Sequence, residues 1–172
     1  MENPDNSLVT LHASNLVLSV HSRSAHPSSS NHGRGALKLC VGGNVYDVGV
    51  ELSDVVAPFG IDRAFGKHYM KLTVRDPVLM TKLSEVDERV RTLVQPSVLH
   101  SCVTSFQSRA ITISTLLCRN VTVVDAQNQP VSLFAIQKGS SIALVRMVLG
   151  DVYDVTGGCT YKWIVKHMVV LE

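Results

Sequence analysis

The run Lys67-His68-Tyr69-Met70-Lys71-Leu72-Thr73-Val74-Arg75 holds two alternating registers of different chemistry. A strand turns successive side chains to opposite faces, so Met70, Leu72 and Val74 point one way and Lys67, Tyr69, Lys71, Thr73 and Arg75 the other. The second face is cationic and carries an aromatic ring. A solvated strand face needs polar groups, but it needs neither a single sign of charge nor a tyrosine flanked by lysines. Phosphates and unstacked bases want both. A second cluster, Tyr161-Lys162-Trp163-Ile164-Val165-Lys166-His167, contains the only tryptophan and puts Tyr161 and Trp163 on one face. A base lying on such a ring gains about 1–3 kcal/mol in single-strand binders. In the run 142–149, Arg146 shares a face with Ile142, Leu144 and Val148. It either pairs with a carboxylate such as Glu51 or Asp54, or contacts phosphate and base. Tyr153 is a further stacking candidate, opposed by its neighbours Asp151 and Asp154.

Rival chemistries lack their motifs. There is no Gly-x-Ser-x-Gly elbow, and Gly33-x-Gly35 and Gly42-Gly43 are too short and lack the Lys-Ser/Thr of a phosphate-cradling loop. Cys40, Cys102, Cys118 and Cys159 form no Cys-x-x-Cys pair. His12, His21, His26 and His32 have no regular ligand spacing with Cys or carboxylates, so neither a metal nor another cofactor is expected. Glu85, Asp87 and Glu88 read as solvent-facing helix carboxylates. An enzyme is not expected.

With 172 residues, 45% of them hydrophobic and 17% charged, the chain fits one domain with a real core. A formal net charge of +2 leaves any nucleic-acid site to local clustering of cations. The polar, acidic start shows no export pattern, and no apolar run reaches the roughly 18 residues that span a bilayer. The expected setting is intracellular: the cytoplasm if the source is a phage, the nucleus or a viral replication site if it is a eukaryotic virus.

These residues must be positioned by strands. Runs 8–11 and 16–20 form a first hairpin, followed by a flexible Ser-, His- and Gly-rich loop over 21–35. Runs 36–41 and 45–56 flank the turn Gly42-Gly43-Asn44, and Ala57-Pro58-Phe59-Gly60-Ile61-Asp62 is a shaped loop. Asp76 before Pro77 signals a helix start, and Leu79, Leu83, Val86, Val90 and Leu93 supply an apolar stripe ending before Pro96. That stripe plugs a barrel end or covers a sheet. A second short helix is expected through Val98, Leu99, Cys102, Val103 and Phe106. Strands resume over 110–117, 121–124, 131–137, 142–149 and 161–171. The predicted architecture is mainly β, an elaborated OB-fold-like barrel with one amphipathic helix. A β-sandwich is the alternative.

Val55-Val56-Ala57-Pro58-Phe59-Gly60-Ile61, the basic strand, the Asp76-Pro77 helix, Lys138-Gly139-Ser140 and Tyr161-Lys162-Trp163 together resemble the single-stranded DNA-binding proteins of phages and large DNA viruses. The resemblance runs over 36–171 by order of elements. It implies an OB-fold that coats single-stranded DNA in replication or recombination, with a groove at Lys67, Tyr69, Lys71 and Arg75 joined by Arg146, Tyr161, Lys162 and Trp163. Many such proteins carry an acidic C-terminal tail, which Val170-Leu171-Glu172 does not supply, so recruitment of replication enzymes by that route is not expected. The leading expectation is therefore a non-enzymatic, largely sequence-independent binder of single-stranded DNA, with RNA the second strand type and self-association open. The runner-up is a viral capsid or assembly subunit whose strands form subunit contacts.

Overall fold

The computed structural model describes residues 16–19, 33–94, 98–106 and 109–171 of the chain. Its first half contains β1 (Leu16–Ser19), β2 (Gly33–Val41), β3 (Asn44–Asp47), β4 (Gly49–Ala57), β5 (Ile61–Ala64), β6 (Lys67–Val74) and α1 (Pro77–Leu93). The second half adds β7 (Leu99–His100), β8 (Val103–Phe106), β9 (Ala110–Val124), β10 (Ser140–Leu149), β11 (Asp151–Val155), β12 (Gly158–Thr160) and β13 (Trp163–Val170).

Alternation along β6 buries Met70, Leu72 and Val74 and leaves Lys67 and Lys71 exposed, because one face of the strand meets the core and the other meets water. The same rule over β9 buries Ile111, Ile113, Thr115 and Leu117. Five strands close on themselves in the order β6-β4-β10-β13-β9, and β9 returns to pair with β6. Read round the ring from β4 through β6, β9, β13 and β10, the strands are first, second, third, fifth and fourth in chain order, with β13 and β9 parallel and the other pairs antiparallel. It is an OB-fold barrel. Ring closure rules out the two open sheets of the sandwich alternative. A second sheet, β1-β2-β11-β12-β7 with β3 on β2, lies beside the barrel.

The helix starts as the sequence indicates. Asp76 Oδ1 accepts from the backbone amides of Val78 and Leu79, both at 2.9 Å, and Pro77 takes the first position, where no amide is needed. Leu83, Val86 and Val90 join the core, with Leu79 and Leu93 packed at its margin. Asp87 corrects the sequence expectation, for it is buried rather than solvent-facing. Its carboxylate accepts from the Ser101 hydroxyl at 2.6 Å, from the Tyr161 hydroxyl at 3.0 Å and from Arg91 at 3.3 Å, which compensates its removal from water.

Several expected elements differ. The helix over 98–106 is replaced by β7 and β8: the Ser101 hydroxyl takes the Val103 amide at 2.9 Å, and the Cys102 carbonyl takes the Ser114 amide at 2.8 Å. The strand over 131–137 gives way to a short 3-10 helix, Leu133–Ala135, capped by the Ser132 hydroxyl. Tyr153 lies in β11 rather than in a loop. The run 45–56 breaks at buried Val48 into β3 and β4. Ile61 and Asp62 open β5 instead of ending a loop. Of the loop expected over 21–35, Gly33, Arg34 and Gly35 instead begin β2, and the remainder lies outside the described residues, as does the strand expected over 8–11.

Burial pushes the Cys102 thiol from 9.0 up to about 11, and it also raises the Tyr161 phenol. As pH climbs, the unfolded chain therefore loses these protons first. Their contribution to stability is complete below pH 9.0 and falls away as pH rises toward about 11. The urea midpoint is expected to hold steady up to about pH 9.0 and then drop, and Cys102→Ala should flatten part of the fall. At neutral pH, Tyr161→Phe should cost about 1–3 kcal/mol, because it leaves the buried Asp87 carboxylate short of a donor.

Candidate nucleic-acid interface

The site is built on the β5–β6 hairpin. Pairing sets Asp62 opposite Tyr69 and Ala64 opposite Lys67, and the turn between them is Phe65-Gly66. Phe65 adopts φ 52°, a conformation that costs a side chain with a Cβ of order 1 kcal/mol, yet its ring is 99% exposed and gains nothing from packing. On its other edge β6 pairs with β9, placing Tyr69 beside Leu116 and Lys71 beside Ser114, and β13 places Ile164 beside Leu116. Tyr69, Leu116 and Ile164 thus form a continuous apolar strip across three barrel strands.

Two cavities flank this strip. One, of about 560 Å³, is lined by Phe59, Gly60, Ile61, Asp62, Tyr69, Met70, Lys71, Ser114, Thr115 and Lys162. The other, of about 450 Å³, is lined by Phe65, Lys67, Tyr69, Leu116, Gly150, Asp151, Tyr153, Lys162 and Ile164. Tyr69 and Lys162 line both, so the two make one trough with a shared waist. A separate cavity of about 440 Å³ holds Lys138, Gly139 and Ser140 with Asp125, Val131 and Leu171.

Backbone contacts fix the walls. Gly150 donates its amide to the Lys162 carbonyl at 2.8 Å, and a Cβ there would stand 2.8 Å from that same oxygen, so only glycine lets the β11 entry lie against the segment carrying Lys162. Gly60, at φ 70°, lies so near the 137–138 backbone that a Cβ would come within 2.9 Å of it, and this seats the loop that displays Phe59. The Lys71 ammonium sits 5.5 Å from the centroid of the Phe59 ring, a cation–π contact on the trough wall. Beyond it, Phe134, also exposed, meets His68 edge-on at 6.0 Å. Lys67, Lys71 and Lys162 enter no ion pair among the described residues, so their charge is available to a ligand. Partial burial, and then the nearby Tyr69 and Cys102, raise the Tyr153 phenol, which keeps it a neutral hydrogen-bonding ring.

Of the residues singled out from sequence, the fold gathers Lys67, Tyr69, Lys71 and Lys162 into the trough. Arg75 is exposed just beyond β6 and lines neither cavity. Arg146 takes the carboxylate alternative: its Nε lies 2.7 Å from Glu51 Oε2, its partner in the β4–β10 register, and it lines neither cavity. Tyr161 and Trp163 correct the expectation outright. Both have no exposed surface, Tyr161 being tied to Asp87 and Trp163 lying in the core, so neither offers a face to a base. The rings that line the trough are instead Phe59, Phe65, Tyr69 and Tyr153. Phe59 and Phe65 were overlooked, although each is adjacent to turn residues, Pro58 and Gly60 for one and Gly66 for the other, where no neighbouring strand can cover a ring.

No family model matches the chain, and no curated protein matches it. Solved structures do. The single-stranded DNA-binding protein gp2.5 of bacteriophage T7 aligns with a TM-score of 0.56 at 13% identity, over 73% of this chain and 87% of that one. The fold is that of phage single-stranded DNA-binding proteins. A truncated form of the single-stranded DNA-binding protein of bacteriophage Enc34 aligns at 0.55 and 10% identity, over 93% of this chain and 95% of that one. The Enc34 protein in complex with single-stranded DNA aligns at 0.50 and 12% identity, over 71% and 85%.

An exposed ring on a left-handed backbone should contribute nothing to folding. Phe65→Asn, which keeps the turn with a residue that tolerates positive φ, is expected to leave the thermal midpoint unchanged or to raise stability by up to about 1 kcal/mol. A clear loss in calorimetry would mean that the ring packs somewhere in solution.

Proposed function

We propose that this chain binds single-stranded DNA without catalysing a reaction, holding phosphates with Lys67, Lys71 and Lys162 and stacking bases on Tyr69, Phe59, Phe65 and Tyr153. The observation that carries the reading is the trough itself: an apolar, tyrosine-centred floor with three lysines on its walls that enter no ion pair among the described residues. Rings beside cations suit a strand whose base faces are free. A duplex hides those faces in its stack. The likeness to phage proteins that bind single-stranded DNA supports the same reading, favours DNA over RNA, and fits a role in replication or recombination at the replication site of a phage or large DNA virus.

Three phosphates neutralised by these lysines, with release of their condensed counterions, give a salt slope of about −2 on a single strand, at about −0.7 per phosphate contact. Each stacked base adds about 1–3 kcal/mol, largely independent of sequence.

The test is fluorescence anisotropy of a labelled mixed-sequence oligonucleotide against matched duplex and RNA, at low and moderate salt. Preference for the single DNA strand, weakening as salt rises, is expected. Lys71→Ala should weaken binding and reduce the slope by about 0.7. Tyr69→Ala should cost about 1–3 kcal/mol with the slope unchanged. Absence of binding at low salt overturns the proposal, and binding that persists or strengthens with salt moves the chain to assembly through apolar surface.

A further inference from the structure

We infer that Asp62 and Asp151 make the trough selective among bases, favouring those with an exocyclic amino group, cytosine above all, over thymine. This rests on the single-strand reading above and adds to it a discrimination between bases.

A wall built for phosphate alone has no use for carboxylates, yet each half of the trough has one. Asp62 lines the first cavity directly opposite Tyr69 in the β5–β6 pairing. Asp151 lines the second, two residues before Tyr153 on β11. Each carboxylate therefore lies beside a tyrosine face, where the edge of a stacked base would fall. Asp62 is also oriented: the Arg63 amide donates to its Oδ1 at 2.8 Å, and Oδ2 has no partner among the described residues. Neither aspartate enters an ion pair among the described residues, although Lys71, Lys67 and Lys162 line the same cavities. Asp62 Oδ2 and the Asp151 carboxylate therefore keep acceptor capacity among the described residues.

An ionised carboxylate only accepts hydrogen bonds. The amino group of cytosine or adenine is a donor and satisfies it. Thymine turns a carbonyl oxygen to the corresponding position, so acceptor faces acceptor and both are left unpaired. The stacking energy is nearly the same for either base, so the edge contact sets the difference.

The experiment compares oligo-dC and oligo-dT of equal length by anisotropy at one salt concentration and slightly alkaline pH. The parent protein should bind dC roughly fivefold or more tighter than dT, the low end of a good carboxylate–amino contact. Asp62→Asn and Asp151→Asn, whose amides both donate and accept, should bring the ratio toward one while strengthening dT binding. Asp47→Asn, on a carboxylate outside the trough, should leave the ratio unchanged. Equal or tighter binding of dT by the parent overturns the inference and leaves the single-strand reading standing. So does a variant that strengthens both oligonucleotides alike, which would make the carboxylates mere charge. No binding of either oligonucleotide overturns the reading and the inference together.

Discussion

Six residue pairs between β6 and β9, from Tyr69 opposite Leu116 to Val74 opposite Ile111, close the barrel, and most of the molecule follows from them. Their inward members, Met70, Leu72, Ile111 and Ile113, are buried, each contributing on the order of 1.5–3 kcal/mol from removal of apolar surface from water. The Thr115 hydroxyl, turned inward with them, donates to the Met70 carbonyl at 2.8 Å and so satisfies itself inside the barrel. The same register sends Tyr69 and Lys71 outward. A slip of one residue would exchange the two faces, burying lysines and exposing the core, so register is held by the cost of desolvating charge. Core and trough are two sides of one ladder.

The helix is joined to this barrel by polar as well as apolar contacts. Asp87 gathers hydroxyls from Ser101 and Tyr161 and the guanidinium of Arg91, linking α1, the segment before β8 and the entry to β13. Such a network stabilises only when every member is satisfied. The arrangement also holds Tyr161 inward, and its neighbour Lys162 reaches the trough while Tyr161 and Trp163 on either side stay in the core. The lysine at the waist of the trough is therefore positioned by the buried aromatics beside it.

Exposure of apolar rings is the clearest departure from what stability alone selects. Phe59, Phe65 and Phe134 are exposed while the far larger Trp163 is wholly buried. Scattered exposed apolar side chains are ordinary. A phenylalanine displayed at a hairpin tip on a left-handed backbone, facing a trough with lysines on its walls, is better explained by a ligand that supplies the missing contact.

Elements governed by local rules were legible in the residues alone. The two-residue alternation located the buried and exposed faces of β6, and Asp76-Pro77 with its apolar spacing located the helix start, because pleat, capping and helical period depend only on near neighbours. Strands on both sides of one capped amphipathic helix pointed to a barrel, and the resemblance in element order agreed with it. Which rings and cations meet depended on the assembled barrel. Lys162 and Tyr153 come beside Tyr69 through strands far off in the chain, Arg146 finds Glu51 across β4, and Tyr161 and Trp163 are covered by the core. Alternation states that a side chain lies on a face. It cannot state whether that face meets water or another element, since burial and cavity depend on strands brought in from elsewhere, and that difference separated Phe59 and Phe65 from the buried tryptophan.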